Sequence, residues 1–237
     1  MLYLIGLGLN EKSISLEGLT ALAKCKKVYL ENYTVDFPYM HKELEKVIKK
    51  KLLPANRELA ESDKLVKEAK KENVALLVYG SPLTATTHIS LIEEAKKQKV
   101  KYEVIYNASI LDAIAETGLQ LYKFGKITSM PAWKESFKPI SFIGTIEDNQ
   151  KIGAHSLMLV DIGLELKEAL NQFEKALEEN EIKVGKILIC SRLGNKDRKI
   201  FYAELSKLKN KKVEKPYCII IPAKLHFMEE EVLKGFE

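Results

Sequence analysis

The chain has 237 residues, of which 46% are apolar and 30% charged, and its formal net charge is +5. This composition is typical of a folded globular protein, and no apolar run approaches the ~18–20 residues that span a bilayer. A charge of +5 is small for a nucleic-acid-binding protein of this size, so we expect neither a nucleic-acid nor a membrane partner. The apolar start, MLYLIGLGLN, has no basic leader and no cleavage site, so we interpret it as a strand.

The three cysteines, Cys25, Cys190 and Cys218, lie far apart in the sequence, and their number is odd. They form no C-x-x-C pair, and no histidines are spaced as zinc ligands are. We therefore expect no disulfide framework and no metal, and the cysteine usage fits a reducing cytoplasm.

In chain order, short apolar strands alternate with amphipathic helices over the first 107 residues. The continuous apolar run Leu2–Leu9 is typical of a strand that is buried on both faces. Ser15 is the predicted cap of the first helix, and Ser109 is the predicted cap of the helix that follows residue 107. Strands are predicted at 2–9, 27–32, 74–79 and 102–106, with helices at about 15–24, 42–50 and 63–72 and within 86–98.

The periodicity weakens after Gly118, where YKFGKITSMPAWKESFKPISFIG combines turn residues and aromatics. We interpret this stretch as strand and loop that project towards a site or a partner. Regular patterns then return, with strands predicted at 155–163, 186–194 and 217–227, a helix at 165–180, and a partly alternating segment at 198–208. With four or five strands in each half, the pattern predicts two α/β domains, 1–107 and 108–237, with a cleft between them.

Gly6-Leu7-Gly8 follows the first predicted strand. Glycines there allow a backbone to approach a ligand without interference from Cβ atoms, or they form a tight turn that ends the strand. The dinucleotide-binding fingerprint requires a third glycine at position 11, which is Glu11, so an NAD site of that type is disfavoured.

The run VYGSPLTATTH, from Val78 to His88, ends the strand at 74–79 in a turn shaped by Gly80 and Pro82. Its hydroxyl groups and backbone N–H groups are hydrogen-bonding partners for a ligand at a strand end, where α/β sheets bind ligands. Alternatively, Thr86 or Thr87 caps the next helix.

His88, His155 and His226 are either functional or, as is commoner, hydrogen-bonded to backbone. No G-x-S-x-G elbow and no acid–base pair is visible, so hydrolysis has little support, and we identify no catalytic residue.

Several motifs together resemble archaeal diphthine synthases, which are S-adenosylmethionine-dependent methyltransferases of diphthamide biosynthesis. They are YLIGLGL, YGSPLTATTH, NASIL, GLQLYKFGK, GAHSLMLVDI and IIIPAKLH, in this order over nearly the whole chain. The amino-terminal motif is shared more loosely with tetrapyrrole methylases. The resemblance implies an α/β fold of the tetrapyrrole methylase type, with two α/β domains and the cofactor in the cleft between them.

The same resemblance implies a homodimer and a substrate protein, translation elongation factor 2. The methyl acceptor is the amine of a 3-amino-3-carboxypropyl chain on a modified histidine of that protein, and the cofactor product is S-adenosylhomocysteine. It also implies the following cofactor contacts: Leu9, Ser81, Thr84, Ser109, Ile110, Val160, Leu193 and Tyr217.

One departure from the family lies at Ser81, because the family turn usually reads Gly-Asp-Pro. If the carboxylate binds the cofactor, its loss weakens affinity by about 1.5–3 kcal/mol, and if the contact is through backbone, little changes. Two alternatives remain: methylation of a tetrapyrrole or ribosomal RNA by the same fold, and a non-catalytic protein that binds the elongation factor.

Overall fold

The computed structural model describes all 237 residues, which divide into two compact units, Met1–Leu111 and Asp112–Glu237. Each unit is built on its own five-stranded sheet. The predicted two-sheet α/β architecture is therefore confirmed. No helix has the length and apolar character that crossing a membrane requires.

The sheet of unit 1 is entirely parallel, with the strand order β3-β2-β4-β1-β5. Its strands are β1 (Leu2–Gly6), β2 (Lys27–Glu31), β3 (Leu53–Ala55), β4 (Val74–Val78) and β5 (Tyr102–Ile105). Its helices are α1 (Leu16–Ala23), α2 (His41–Ile48), α3 (Arg57–Ala60), α4 (Lys64–Ala69), α5 (Ile89–Lys97) and α6 (Ile110–Ala113), the last of which runs into unit 2.

Helices cover both faces of this sheet, which explains why β1 and β4 are continuously apolar and buried. Residues Leu2 and Leu4 of β1 pack with α4 and α5 on what we call the α5 face. Residues Tyr3 and Ile5 pack with α1 and α2 on the opposite side, the α1 face.

The predicted helix caps are confirmed. The Ser15 hydroxyl accepts a hydrogen bond from Gly18 N at 3.0 Å, and the Ser109 hydroxyl accepts one from Leu111 N at 3.2 Å. For α5, the N-cap is His88, so the expectation that Thr86 or Thr87 caps this helix is wrong.

The sheet of unit 2 is mixed, with the strand order β6-β7-β10-β8-β9. Only β6 and β7 are parallel to each other, and the other neighbouring pairs are antiparallel. The strands are β6 (Thr128–Met130), β7 (Ser156–Val160), β8 (Ile187–Ser191), β9 (Lys199–Ala203) and β10 (Tyr217–Ile221). The helices are α7 (Ser141–Lys151), α8 (Leu166–Glu179), α9 (Leu205–Leu208) and α10 (Phe227–Leu233).

Helix α7 corrects the expectation that residues 122–144 contain only strand and loop, because it begins at Ser141. Phe142, Ile143 and Ile146 of α7 are buried in the core of unit 2 together with the inner face of α8. Tertiary packing therefore decides the conformation of a segment whose local sequence is a weak helix former.

Candidate functional site

The carboxyl ends of β1 and β4, which are neighbours in the sheet of unit 1, are where the topology predicts a ligand-binding crevice. The chain leaving β1 leads to α1 on one face, and the chain leaving β4 leads to α5 on the other. Neighbouring strands whose connections diverge to opposite faces create the crevice in which open α/β sheets bind ligands.

The loop that follows β1 and the loop that follows β4 are joined by a pair of glycines, Gly8 and Gly80. Gly8 N donates to Gly80 O at 3.1 Å, and Gly80 N donates to Gly8 O at 2.9 Å. Both residues have positive φ, +69° for Gly8 and +71° for Gly80, a conformation that side chains disfavour. A Cβ atom on Gly6 would lie 2.7 Å from Gly80 O, so that glycine is required by the packing of the two loops. Of the two roles considered for Gly6-Leu7-Gly8, the structure directly supports the tight turn.

The side chain of Asn107, which follows β5, fastens the first loop. Its amide nitrogen donates to Gly6 O at 3.1 Å and to Ser13 O at 2.9 Å, and its oxygen accepts from Ala108 N at 2.8 Å. This residue lies within NASIL but is absent from the predicted contacts, because its bonds cross about a hundred residues of sequence. It holds the segment from which Ser109 and Ile110 follow.

Unit 1 brings several predicted contacts together at this edge. Leu9 and Ser81 are each 7% exposed and follow the paired glycines Gly8 and Gly80. Ser109 is buried near Gly80, since a Cβ atom on that glycine would lie 3.6 Å from Ser109 Cα. Thr84 is half-buried, and its N–H donates to Ser81 O at 3.2 Å.

Several polar side chains of the 80–88 loop form hydrogen bonds within the loop itself. The Thr86 hydroxyl donates to Pro82 O at 2.7 Å, and His88 Nδ1 lies 3.0 Å from the same carbonyl oxygen. Because a carbonyl only accepts, Nδ1 carries a proton and donates it to this oxygen. His88 is 1% exposed and is therefore a buried histidine bonded to backbone.

The remaining predicted contacts lie at one end of the sheet of unit 2. Val160 ends β7, and Tyr217 begins β10 opposite Ser191, the last residue of β8. Leu193 follows Ser191 by two residues and is buried. The Tyr217 hydroxyl donates to Leu164 O at 3.0 Å, and burial raises the pKa of this phenol well above its usual range. This tyrosine is therefore a fixed, neutral side chain.

The opposite end of the same sheet holds a buried ionic network. Glu229 is fully buried and accepts hydrogen bonds from Gln120 N at 2.9 Å, His226 N at 2.7 Å and the Lys123 ammonium. His155 Nδ1 accepts from Ala223 N at 3.0 Å, so its protonated Nε2 donates to Glu229 at 3.1 Å.

The pKa values of this network follow from burial and hydrogen bonding. Burial alone raises the pKa of Glu229, but the hydrogen bonds outweigh it and lower the pKa to about 2. Burial lowers the pKa of His155 more than the Glu229 carboxylate raises it. A strand of five residues, roughly 16 Å, separates this network from Val160 and Tyr217. It therefore contributes to the fold and not to the chemistry at the other end.

The sequence model of the Tetrapyrrole (Corrin/Porphyrin) Methylases matches residues 1–209. A diphthine synthase of Methanococcus maripaludis is 36% identical over 99% of this chain and 98% of its own length. Diphthine methyl ester synthase 2 of Candida albicans is 48% identical, but the match spans 68% of this chain and 56% of that protein. A crystal structure of diphthine synthase superposes with a TM-score of 0.91 at 32% identity, covering 99% of this chain and 95% of the other.

These matches establish the class first: the fold is that of the tetrapyrrole methylases. The chain belongs to this family and, within it, to the diphthine synthases. The resemblance stated from the sequence motifs is thereby confirmed.

Proposed function

We propose that this protein is an S-adenosylmethionine-dependent methyltransferase of diphthamide biosynthesis. Its proposed substrate is translation elongation factor 2 that carries a 3-amino-3-carboxypropyl group on a modified histidine, and the amine is the methyl acceptor. The observation that carries this proposal is the similarity to a diphthine synthase over 99% of the chain.

The residues at the strand ends fit the proposed cofactor. The paired turns at Gly8 and Gly80 bring backbone groups to the crevice without side chains. Ser81 and Ser109 add hydroxyl groups for the polar parts of a nucleoside and an amino-acid chain, and Leu9, Ile110, Val160 and Leu193 offer apolar surface for its base. We propose that these residues, with Thr84 and Tyr217, contact the cofactor.

The proposed mechanism requires positioning more than proton transfer. The cofactor supplies a methyl group on a positively charged sulfonium, which needs no further activation. The acceptor amine attacks as a free base, and an α-amino group with a pKa of about 8 is partly neutral at pH 7. The chain has to hold the reacting atoms ~3–3.5 Å apart and in line.

No dedicated base is needed in this mechanism. His88 has its Nδ1 proton committed to Pro82 O, and the His155–Glu229 pair lies at the far end of unit 2. The anchored loops, held by Asn107 and by the Gly8–Gly80 pairing, instead supply a rigid frame for alignment.

A second candidate reaction is methylation of the carboxylate of the same acceptor chain. The observation that favours it is the name "diphthine methyl ester synthase", borne by relatives that are 46–48% identical. A homodimer and a cytoplasmic location, both implied at the level of sequence, stay predictions.

The test is incubation of the protein with radiolabelled S-adenosylmethionine and elongation factor 2 bearing the unmethylated chain. We expect label on the modified histidine, with methyl groups counted by intact mass. Mild alkali removes an ester methyl but leaves N-methyl groups, so it separates the two candidate reactions. Label only on RNA or on a tetrapyrrole would refute the proposal, and absence of cofactor binding by calorimetry would leave a non-catalytic, elongation-factor-binding protein.

A further inference from the structure

Glu31, the last residue of β2, is a fully buried carboxylate without a cationic partner. It accepts hydrogen bonds from Tyr33 N at 3.0 Å and from the Thr34 hydroxyl at 2.6 Å, and no lysine, arginine or histidine forms a salt bridge with it. The other fully buried carboxylate, Glu229, is paired with Lys123 and His155. Buried charges are normally compensated, so the isolated Glu31 indicates that a cation from outside the chain binds close to it.

The position of Glu31 supports a ligand-binding role. Strand β2 is the neighbour of β4, and the chain leaving β2 leads to α2 on the α1 face, whereas the chain leaving β4 leads to the α5 face. The topology therefore predicts a second ligand-binding position at the ends of β2 and β4, one strand away from the one at β1 and β4. The 80–88 loop follows β4, the strand that both positions share.

The side chains around Glu31 are suited to a cation. The Arg57 guanidinium lies 5.4 Å from the centre of the Tyr33 ring, so this ring already makes one cation–π contact. Arg57 is paired with Glu61 at 3.8 Å and leaves the charge of Glu31 uncompensated. The pKa of the Tyr33 phenol is raised mainly by burial and secondly by the Glu31 carboxylate, which shows that this carboxylate is close enough to the phenol to act on it.

We propose that the end of β2 binds the nitrogen of the methyl acceptor in its cationic forms, with the Tyr33 ring in contact with it and Glu31 supplying the compensating charge from beneath. With a pKa of about 8 this amine is mostly protonated at pH 7, and the neutral fraction in equilibrium with the bound ammonium form is the one that attacks. This inference rests on the proposed function, in which methylation converts an amine into a quaternary ammonium group. Because Glu31 lies under the turn formed by Tyr33 and Thr34, it acts as a positioning residue and not through direct contact.

The first test is the kinetics of Glu31→Gln, which keeps the shape of the side chain and removes its charge. We expect the KM for the acceptor protein to rise about tenfold, with the affinity for S-adenosylhomocysteine unchanged. The urea midpoint should stay the same or rise, because an uncompensated buried charge is removed.

The matched control is Glu72→Gln, at the opposite end of the sheet, which should leave the KM unchanged. A lower urea midpoint with an unchanged KM would show that Glu31 only holds the 33–34 turn, and would overturn the proposal.

The second test separates the contribution of the ring from that of the hydroxyl. Tyr33→Phe keeps the ring face and should keep the acceptor KM, whereas Tyr33→Leu should raise it about tenfold. Equal effects of the two substitutions would contradict the proposed contact.

A binding experiment distinguishes this site from the proposed function. Tetramethylammonium chloride, titrated at constant ionic strength, should shift the NMR signals of Tyr33 and Arg57 in the wild type but not in Glu31→Gln. tert-Butanol, of similar shape and uncharged, should not. No shift with tetramethylammonium would overturn the site, whether or not methyl transfer occurs. A shift without methylation of elongation factor 2 would support the site and refute the proposed function.

Discussion

Tyr79 holds the backbone of a predicted cofactor contact, Leu9, through a hydrogen bond. Its hydroxyl donates to Leu9 O at 2.8 Å, across 70 residues of sequence, and its ring packs edge-to-face on Phe37 at 5.4 Å. The bond fixes the backbone of the first loop at the point where it turns away from the 80–88 loop.

We therefore predict that Tyr79→Phe weakens the binding of S-adenosylhomocysteine. Loss of one hydrogen bond costs about 0.5–1.5 kcal/mol, which corresponds to a two- to tenfold weaker affinity, and isothermal calorimetry measures it. The control is Tyr29→Phe, which loses a similar bond to Glu68 at 2.9 Å, away from the crevice. If both variants bind the cofactor product like the wild type, the Tyr79 bond does not position the loop for binding.

The roles of single residues were predictable to the extent that a motif carried them. Ser81 and Ser109 follow from the resemblance, and the structure places both at the same edge of unit 1. Asn107 and Tyr79 were missed because their function lies in bonds to Gly6, Ser13 and Leu9, which are distant in sequence. No local pattern encodes such bonds.

Among the elements, α10 is held to the sheet of unit 2 by the network around Glu229. His226 precedes the helix, and Glu229 in its first turn bonds back to His226 N at 2.7 Å. The same carboxylate accepts from Gln120 N and from Lys123, so one side chain joins α10 to the turns before β6. Most of this network comes from the motifs LYKFGK, GAHSL and PAKLH, which therefore specify a structural junction.

Because of this junction, the folding stability of the protein decreases as the pH falls. The carboxyl group of Glu229 has a pKa of about 2 in the folded state, against an ordinary value of 4.5. The unfolded state binds the proton more readily, so the stabilisation is fully present above pH 4.5 and is lost progressively as the pH falls towards 2. His155 acts in the same direction, because its lowered pKa keeps it neutral in the fold while the unfolded chain takes up a proton below about pH 6.5.

We predict that urea midpoints measured between pH 7 and pH 3 fall steeply in the wild type and less steeply in Glu229→Gln. That variant should be less stable at pH 7 by about 3–5 kcal/mol, because Lys123 and His155 lose their buried partner. The exposed Glu231, which pairs with Lys234, provides the control, and Glu231→Gln should follow the wild type at every pH. Parallel pH profiles for wild type and Glu229→Gln would contradict this assignment.

The elements differed in how well their sequences predicted them. Helix α8 shows regular apolar spacing and was predicted, whereas α7 contains Gly144 and Thr145 and begins two residues after Pro139. Strand β3 has only three residues and includes Pro54, and α10 exposes Phe227 and Met228. In β3 and α10, pairing with β2 or the bonds of Glu229 to Gln120 and Lys123 decide the structure, and none of these contacts is local in sequence.

At the scale of the whole molecule, the predicted cofactor contacts come from both units. Leu9, Ser81 and Ser109 lie at the carboxyl edge of the parallel sheet, and Leu193 and Tyr217 lie at one end of the mixed sheet. The sequence located these two sets by motif resemblance alone. Their common feature in the structure is that every one lies at or just beyond a strand end.

If these residues bind one ligand, S-adenosylhomocysteine should slow backbone amide exchange at 8–10, 80–84 and 108–111 in unit 1 and, simultaneously, at 192–194 in unit 2. Hydrogen–deuterium exchange with mass spectrometry measures this effect, since binding to the native state suppresses local opening. Residues 225–233, at the other end of the unit 2 sheet, are the internal control and should exchange at the same rate with and without ligand. Protection confined to unit 1 would remove Val160, Leu193 and Tyr217 from the binding site. Protection centred on 225–233 would instead place the ligand at the Glu229 network and contradict the structural role assigned to it.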